Sequence, residues 1–130
     1  MLKIEIVSEL YGLKTVLIIG SYKSYQDYIN KRFGLNDEVE QKYFGGETQT
    51  LESSKEYVSV IWLPRFNASV DSYGTLAHEC LHVAIRAMDR LGIPIREDNQ
   101  EPIAYYFEFL FTELLSRLIK NRTKLRKIKG

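Results

Sequence analysis

At 130 residues, 45% of them hydrophobic, the chain is long enough for one compact domain with a single core. A formal net charge of +1 gives the whole molecule no electrostatic bias, and the lone cysteine, Cys80, excludes an intrachain disulfide and suits a reducing compartment. The start of the chain does not read as a signal peptide, because Lys3, Glu5 and Glu9 interrupt its apolar residues, and no apolar run approaches the ~20 residues that span a bilayer. The expectation is a soluble, cytoplasmic protein with no membrane partner.

In chain order, Leu2, Ile4 and Ile6 alternate with Lys3 and Glu5, the period of a half-buried strand. A turn near Gly12 leads to a β-branched run over Thr15–Ile19, read as a second strand and ended by Gly20 and Ser21. Tyr25, Tyr28, Ile29 and Phe33 fall at helical spacing and predict a helix over Tyr22–Phe33, with Ser24 and Asp27 as a capping box and Gly34 as its stop. Residues 35–47 read as a loop. Thr48–Leu51 and Tyr57–Leu63 read as strands joined by a turn at Ser53, Ser54 and Lys55, and Pro64 ends the second.

A helix is expected over Ser72–Leu91, capped by Asp71 or Ser72 and stopped by Gly92 and Pro94. Ala77, Leu81, Ala84, Met88 and Leu91 form an apolar stripe on it. Cys80, Val83 and Ala87 add further apolar residues, so little of this helix is expected to face water. A last long helix runs from about Glu101 to Lys120, with Pro102 in its first turn and Phe107, Leu110, Phe111, Leu114 and Leu118 on its core face.

The chemistry sits on the helix before it. Residues 78–82 read His-Glu-Cys-Leu-His, and His78 and His82 are the only histidines in the chain. Residues i and i+4 of a helix share one face, so two imidazoles can reach one Zn²⁺ at about 2.0–2.1 Å each. Glu79 is turned from His78 by about 100° and can lie beside the metal as a general base for water. Two histidines leave a catalytic zinc site short of a third protein ligand. With no further histidine, a carboxylate must supply it: Glu101 is the choice, in Asp98-Asn-Gln-Glu-Pro-Ile-Ala-Tyr105, with Glu97, Asp98 and Glu108 as competitors. Glu108 could instead orient a ligand. Tyr105, one turn after Glu101, is a candidate donor to the oxyanion of a hydrated carbonyl, or an aromatic packed with its hydroxyl at the rim. Cys80 reads as a small core residue.

The last stretch of the chain carries a charge split. Residues 117–130 hold seven basic side chains (Arg117, Lys120, Arg122, Lys124, Arg126, Lys127 and Lys129) and no acid. With seven of the 18 basic residues there, the rest of the chain is left with eleven against 17 acidic ones. A solvated helix end explains this tail, since cations suit a helix C-terminus. Contact with nucleic acid or an acidic partner is the alternative.

The longer pattern Ile61-Trp-Leu-Pro64, Gly74-Thr-Leu-Ala-His-Glu-Cys-Leu-His82 and Asp98-Asn-Gln-Glu-Pro-Ile-Ala-Tyr105 resembles the gluzincin metallopeptidases, in particular the compact minigluzincins, and is similar to small proteins encoded by tailed bacteriophages and prophages. The resemblance covers residues 57–115. It implies His78, His82 and Glu101 as zinc ligands, Glu79 as the base, and Tyr57–Leu63 as the sheet edge along which an extended peptide pairs. Where gluzincins carry an aspartate four residues after the ligand glutamate, this chain has Tyr105, so support for the histidines must come from elsewhere. The fold expected is one α+β domain over residues 1–130 with a basic helical tail: a small twisted sheet with one packed helix, an active-site helix and a long C-terminal helix, a minimal zincin-like arrangement. The function expected is a zinc metallopeptidase, in the host cytoplasm if phage-encoded. The alternative is a catalytically silent, zinc-stabilised protein of phage assembly or partner binding.

Overall fold

Alternation builds the first strand. β1 (Leu2–Val7) buries Leu2, Ile4 and Ile6 and exposes the residues between them. In this computed structural model, which describes residues 1–37 and 45–128, β1 pairs antiparallel with β2 (Lys14–Ile19). Helix α1 (Tyr22–Phe33) then crosses one face of the sheet, and the hairpin of β3 (Glu47–Glu52) and β4 (Tyr57–Leu63) follows. β4 lies parallel to β2, from Lys14↔Val58 to Ile19↔Leu63, giving the strand order β1-β2-β4-β3. Helices α2 (Val70–Leu91) and α3 (Glu101–Lys120) come next, followed by the short α4 (Arg122–Leu125). The result is a mixed α+β fold, and no helix among the described residues is long and apolar enough to cross a membrane. The loop expected over 35–47 and the basic tail at 117–130 lie partly outside the described residues.

Period 2 sorts the side chains of the two central strands into two cores. Val16 and Ile18 of β2, with Val58, Val60 and Trp62 of β4, meet Tyr25 and Ile29 of α1 on one face. Leu17, Ile19, Ile61 and Leu63 meet Leu76, Met88, Leu110 and Leu114 of α2 and α3 on the other. Trp62 donates its indole N–H to Gly20 O at 2.9 Å, so its one polar atom is satisfied inside.

Burial on both faces overturns one expectation. Tyr57–Leu63 is not a sheet edge: β4 lies between β2 and β3, and the edges are β1 and β3. The physical reason is legible in its composition, because a nearly continuous apolar run suits a strand covered on both sides. β3, Glu-Thr-Gln-Thr-Leu-Glu, carries the polar composition of an edge.

The helix ends follow local chemistry, with two corrections. α1 is capped by Ser21, whose hydroxyl accepts from Ser24 N, so Ser24 is the donor and not the cap. α2 is capped by Ser69, which accepts from Ser72 N, and it begins at Val70 rather than at Ser72. In each case the cap sits three residues before the N–H it satisfies. Gly34 and Gly92 close α1 and α2 in the left-handed region, at φ 66° and 70°, where a Cβ would be strained.

An ion-pair cluster ties α1 to the sheet. Arg32 Nη2 reaches Glu5 Oε1 at 3.1 Å and Glu56 Oε2 at 3.2 Å, and Lys14 Nζ reaches Glu56 Oε2 at 3.3 Å. The Arg32 guanidinium, helped by Lys14, holds the Glu56 carboxyl below its ordinary value. A depressed folded-state pKa adds stability that is present above the unfolded value, near 4.3, and is lost as pH falls through the folded one. Glu56→Gln is therefore expected to cost up to about 1 kcal/mol at pH 7 and progressively less below pH 4, read from urea unfolding at both pH values. A pH-independent difference would remove the ion pairs from the explanation.

Candidate metal centre

α2 presents three different faces around the motif. Leu76, Cys80, Val83, Ala84, Ala87 and Met88 are buried against the core. His78 and His82 lie on the opposite, exposed side. Glu79 lies between the two and is buried at 5% exposure on the flank nearest β3. The helix is thus less buried than its composition suggests. Leu81, expected in the apolar stripe, is 46% exposed, and Ile85 one turn further on is 41% exposed. An amphipathic helix hides one stripe, and extra apolar residues beyond that stripe stay in water. Cys80 is fully buried, and burial pushes its thiol up to about 12, which fits a core residue.

His78 Nε2 and His82 Nε2 are 3.2 Å apart, with ring centroids 4.8 Å apart and planes at 78°. The coordinating atoms of His78, Glu79 and His82 all lie within 4.8 Å of one another, a group that could hold a metal ion. Two nitrogens each about 2.05 Å from one ion and 3.2 Å from each other subtend about 100°, close to the tetrahedral angle. The separation of the pair therefore matches two ligands of one ion. Without one, an N–H···N hydrogen bond between the two rings accounts for the same distance.

Glu79 is oriented by the sheet edge. Thr48 Oγ1 donates to Glu79 Oε2 at 3.0 Å. Two and three turns further along α2, Arg86 Nη1 donates to Thr48 O at 3.0 Å and to Thr50 Oγ1 at 3.2 Å, and Arg90 pairs with Glu52 at 2.7 Å. Even-numbered β3 side chains thus lock the edge strand to α2. Ser53 N donates to Glu56 O at 2.9 Å across the hairpin, and alternation along an antiparallel pair then turns the N–H and C=O of Thr48, Thr50 and Glu52 to the open edge. Arg86 occupies one of those acceptors, the carbonyl of Thr48.

An open cleft of about 640 Å³ runs from Gly45 and Gly46 across the first turns of α2 to His78 and Glu79, with Asp71 also on its wall. Gly46 allows this approach, since a Cβ there would meet Leu63 Cδ2, Thr75 Cγ2 and Trp62 O, each at 3.1 Å. Gly74 is different: nothing lies within 4 Å of a Cβ added to it. One helical turn before His78, it keeps the floor of the cleft bare. Gly74→Ala is expected to stabilise the fold by about 0.5–1 kcal/mol in thermal or urea unfolding, the ordinary helix preference for Ala. A loss of stability would show that the space over Gly74 is filled.

The other candidates named from sequence do not join this group. Glu101 and Tyr105 are exposed and line a separate cavity with Tyr106 and Phe109, facing the end of β1. Asp98 pairs with Arg96 at 3.3 Å, and Glu97 and Glu108 are exposed. The residue that sequence reading missed is Thr48. No local signal marks it, because it meets Glu79 31 positions away only through the register of β3 on β4 and the placement of α2. Comparison with protein-family models, curated proteins and solved structures gives no match for this chain.

Proposed function

We propose that this protein is a zinc-dependent hydrolase, most simply a peptidase, working at His78, Glu79 and His82. The observation that carries the reading is the 3.2 Å separation of the two Nε2 atoms beside a buried carboxylate. An imidazole pair at near-tetrahedral separation supplies two of the three protein ligands that a catalytic zinc takes, and the soft-to-borderline nitrogen donors suit zinc. Zinc held there would supply Lewis acidity and a more acidic water. Glu79 would be the group that accepts and returns the proton, as general base and acid. Thr48 holds Oε2 and leaves Oε1 as the working oxygen. An extended peptide pairs along β3, the edge beside the cleft, using the outward groups of Thr50 and Glu52. The minimal zincin-like arrangement expected from sequence belongs to this proposal.

A second reading has its own support. Glu101 stands outside the group, so among the described residues the assembled donors are two histidines and Glu79 itself. If Glu79 is the third ligand, the metal staples α2 and the chain acts by binding, not by catalysis.

Both readings require a metal. Zinc titrated into chelator-stripped protein is expected to bind at about one equivalent per chain, read by elemental mass spectrometry and calorimetry. His82→Ala is expected to abolish that uptake and leave the fold intact, since the side chain is exposed. A folded protein that takes up no zinc would end both proposals and leave the histidines as a hydrogen-bonded pair.

A further inference from the structure

We propose that the cavity between the β1–β2 connection and α3 is a binding site for an organic cation, a protonated amine or guanidinium carried on an apolar body. The proposal does not depend on the metal centre.

The cavity holds about 830 Å³, within the range of small-molecule sites. Its walls are aromatic: Tyr11, Tyr105, Tyr106 and Phe109. Tyr11 and Tyr106 rings stand 5.6 Å apart at 47°, and Tyr106 and Phe109 stand 6.2 Å apart at 43°, so three of the rings form one continuous aromatic wall. The rim is apolar and open to solvent, with Leu10 81%, Tyr105 67%, Val7 47% and Phe109 36% exposed. Side chains of this kind are costly to leave in water together without an occupant.

The charges select the occupant. Glu9 and Glu101 line the cavity, and neither carboxylate has a hydrogen-bond or ion-pair partner among the described residues. Among the described residues of the wall the one cation, Arg117, is already engaged: Nη1 donates to Glu5 O at 2.9 Å and Nη2 to Glu113 Oε1 at 3.2 Å. Two free carboxylates therefore face a space walled by aromatic rings, whose faces carry negative potential. Both features attract a cation, and both repel an anion. A neutral apolar molecule gains burial alone.

The test uses three probes of one shape: phenethylammonium, 2-phenylethanol and phenylacetate, titrated into the full chain by calorimetry, with tyrosine resonances followed by NMR. The amine is expected to bind saturably, about tenfold more tightly than the alcohol, with no binding of the acid. Glu101→Gln and Tyr105→Ala, at exposed positions where folding is undisturbed, are each expected to weaken the amine severalfold. Glu97→Gln, an exposed acid outside the cavity, is expected to change nothing. A free amine and a basic peptide side chain present the same group. If an acetylated, amidated Lys-Tyr dipeptide binds tenfold more tightly than phenethylammonium, the source is a peptide; if not, it is a small amine, and both outcomes support the site. Equal affinity for amine and alcohol overturns the proposal, as does an unchanged affinity in a Glu9→Gln/Glu101→Gln double variant. The absence of saturable binding also overturns it.

Discussion

Glu79→Gln is expected to keep zinc at one equivalent per chain and to lose peptide hydrolysis by about 10²–10⁴-fold, the usual contribution of a general base. Glutamine has the same shape, and its carbonyl oxygen can still accept from Thr48 Oγ1, which lies 3.0 Å from Oε2 in the native site. What the amide lacks is the capacity to take a proton from water. The measurement is turnover of a mixed-sequence peptide library by wild type and variant, with metal content determined on the same samples. Retained turnover would eliminate Glu79 as the base. Lost zinc binding, with no wild-type turnover, would favour the second reading, in which Glu79 is a ligand.

The largest effect on stability is expected at Leu114. It is fully buried, in the cluster where β1, β2 and β4 meet α2 and α3. Leu114→Ala removes that packing and leaves a cavity, at a cost of about 2–5 kcal/mol. Urea unfolding reads this as a lower midpoint with an unchanged slope. Leu81→Ala is the matched control: at 46% exposure it is expected to cost well under 1 kcal/mol, although Leu81 lies next to His82 in sequence. Similar costs at the two sites would contradict the orientation of α2, and with it the exposure of the histidines.

Most elements were legible in the chain because their signals are local. The alternation of Leu2, Ile4 and Ile6 placed β1, and the expected helix over Tyr22–Phe33 has those bounds. The stop at Gly92 and the start at Glu101 also agree with the observed ends of α2 and α3. The N-caps were placed within a few residues but on the wrong ones, because several serines cluster before each helix and only backbone geometry selects Ser21 and Ser69. The burial of α2 was overread, since apolar content does not say how many partners surround a helix.

Sequence alone determined that His78, Glu79 and His82 share a helix with both imidazoles on one face, because four-residue spacing is a property of the helix itself. Tertiary structure alone decided what surrounds them. The edge strand is β3 and not β4, Thr48 meets Glu79, and Glu101 and Tyr105 line a different cavity. Each of these depends on strand order, register and helix placement. They join residues tens of positions apart and follow from how the two faces of the sheet are covered, which no local pattern encodes.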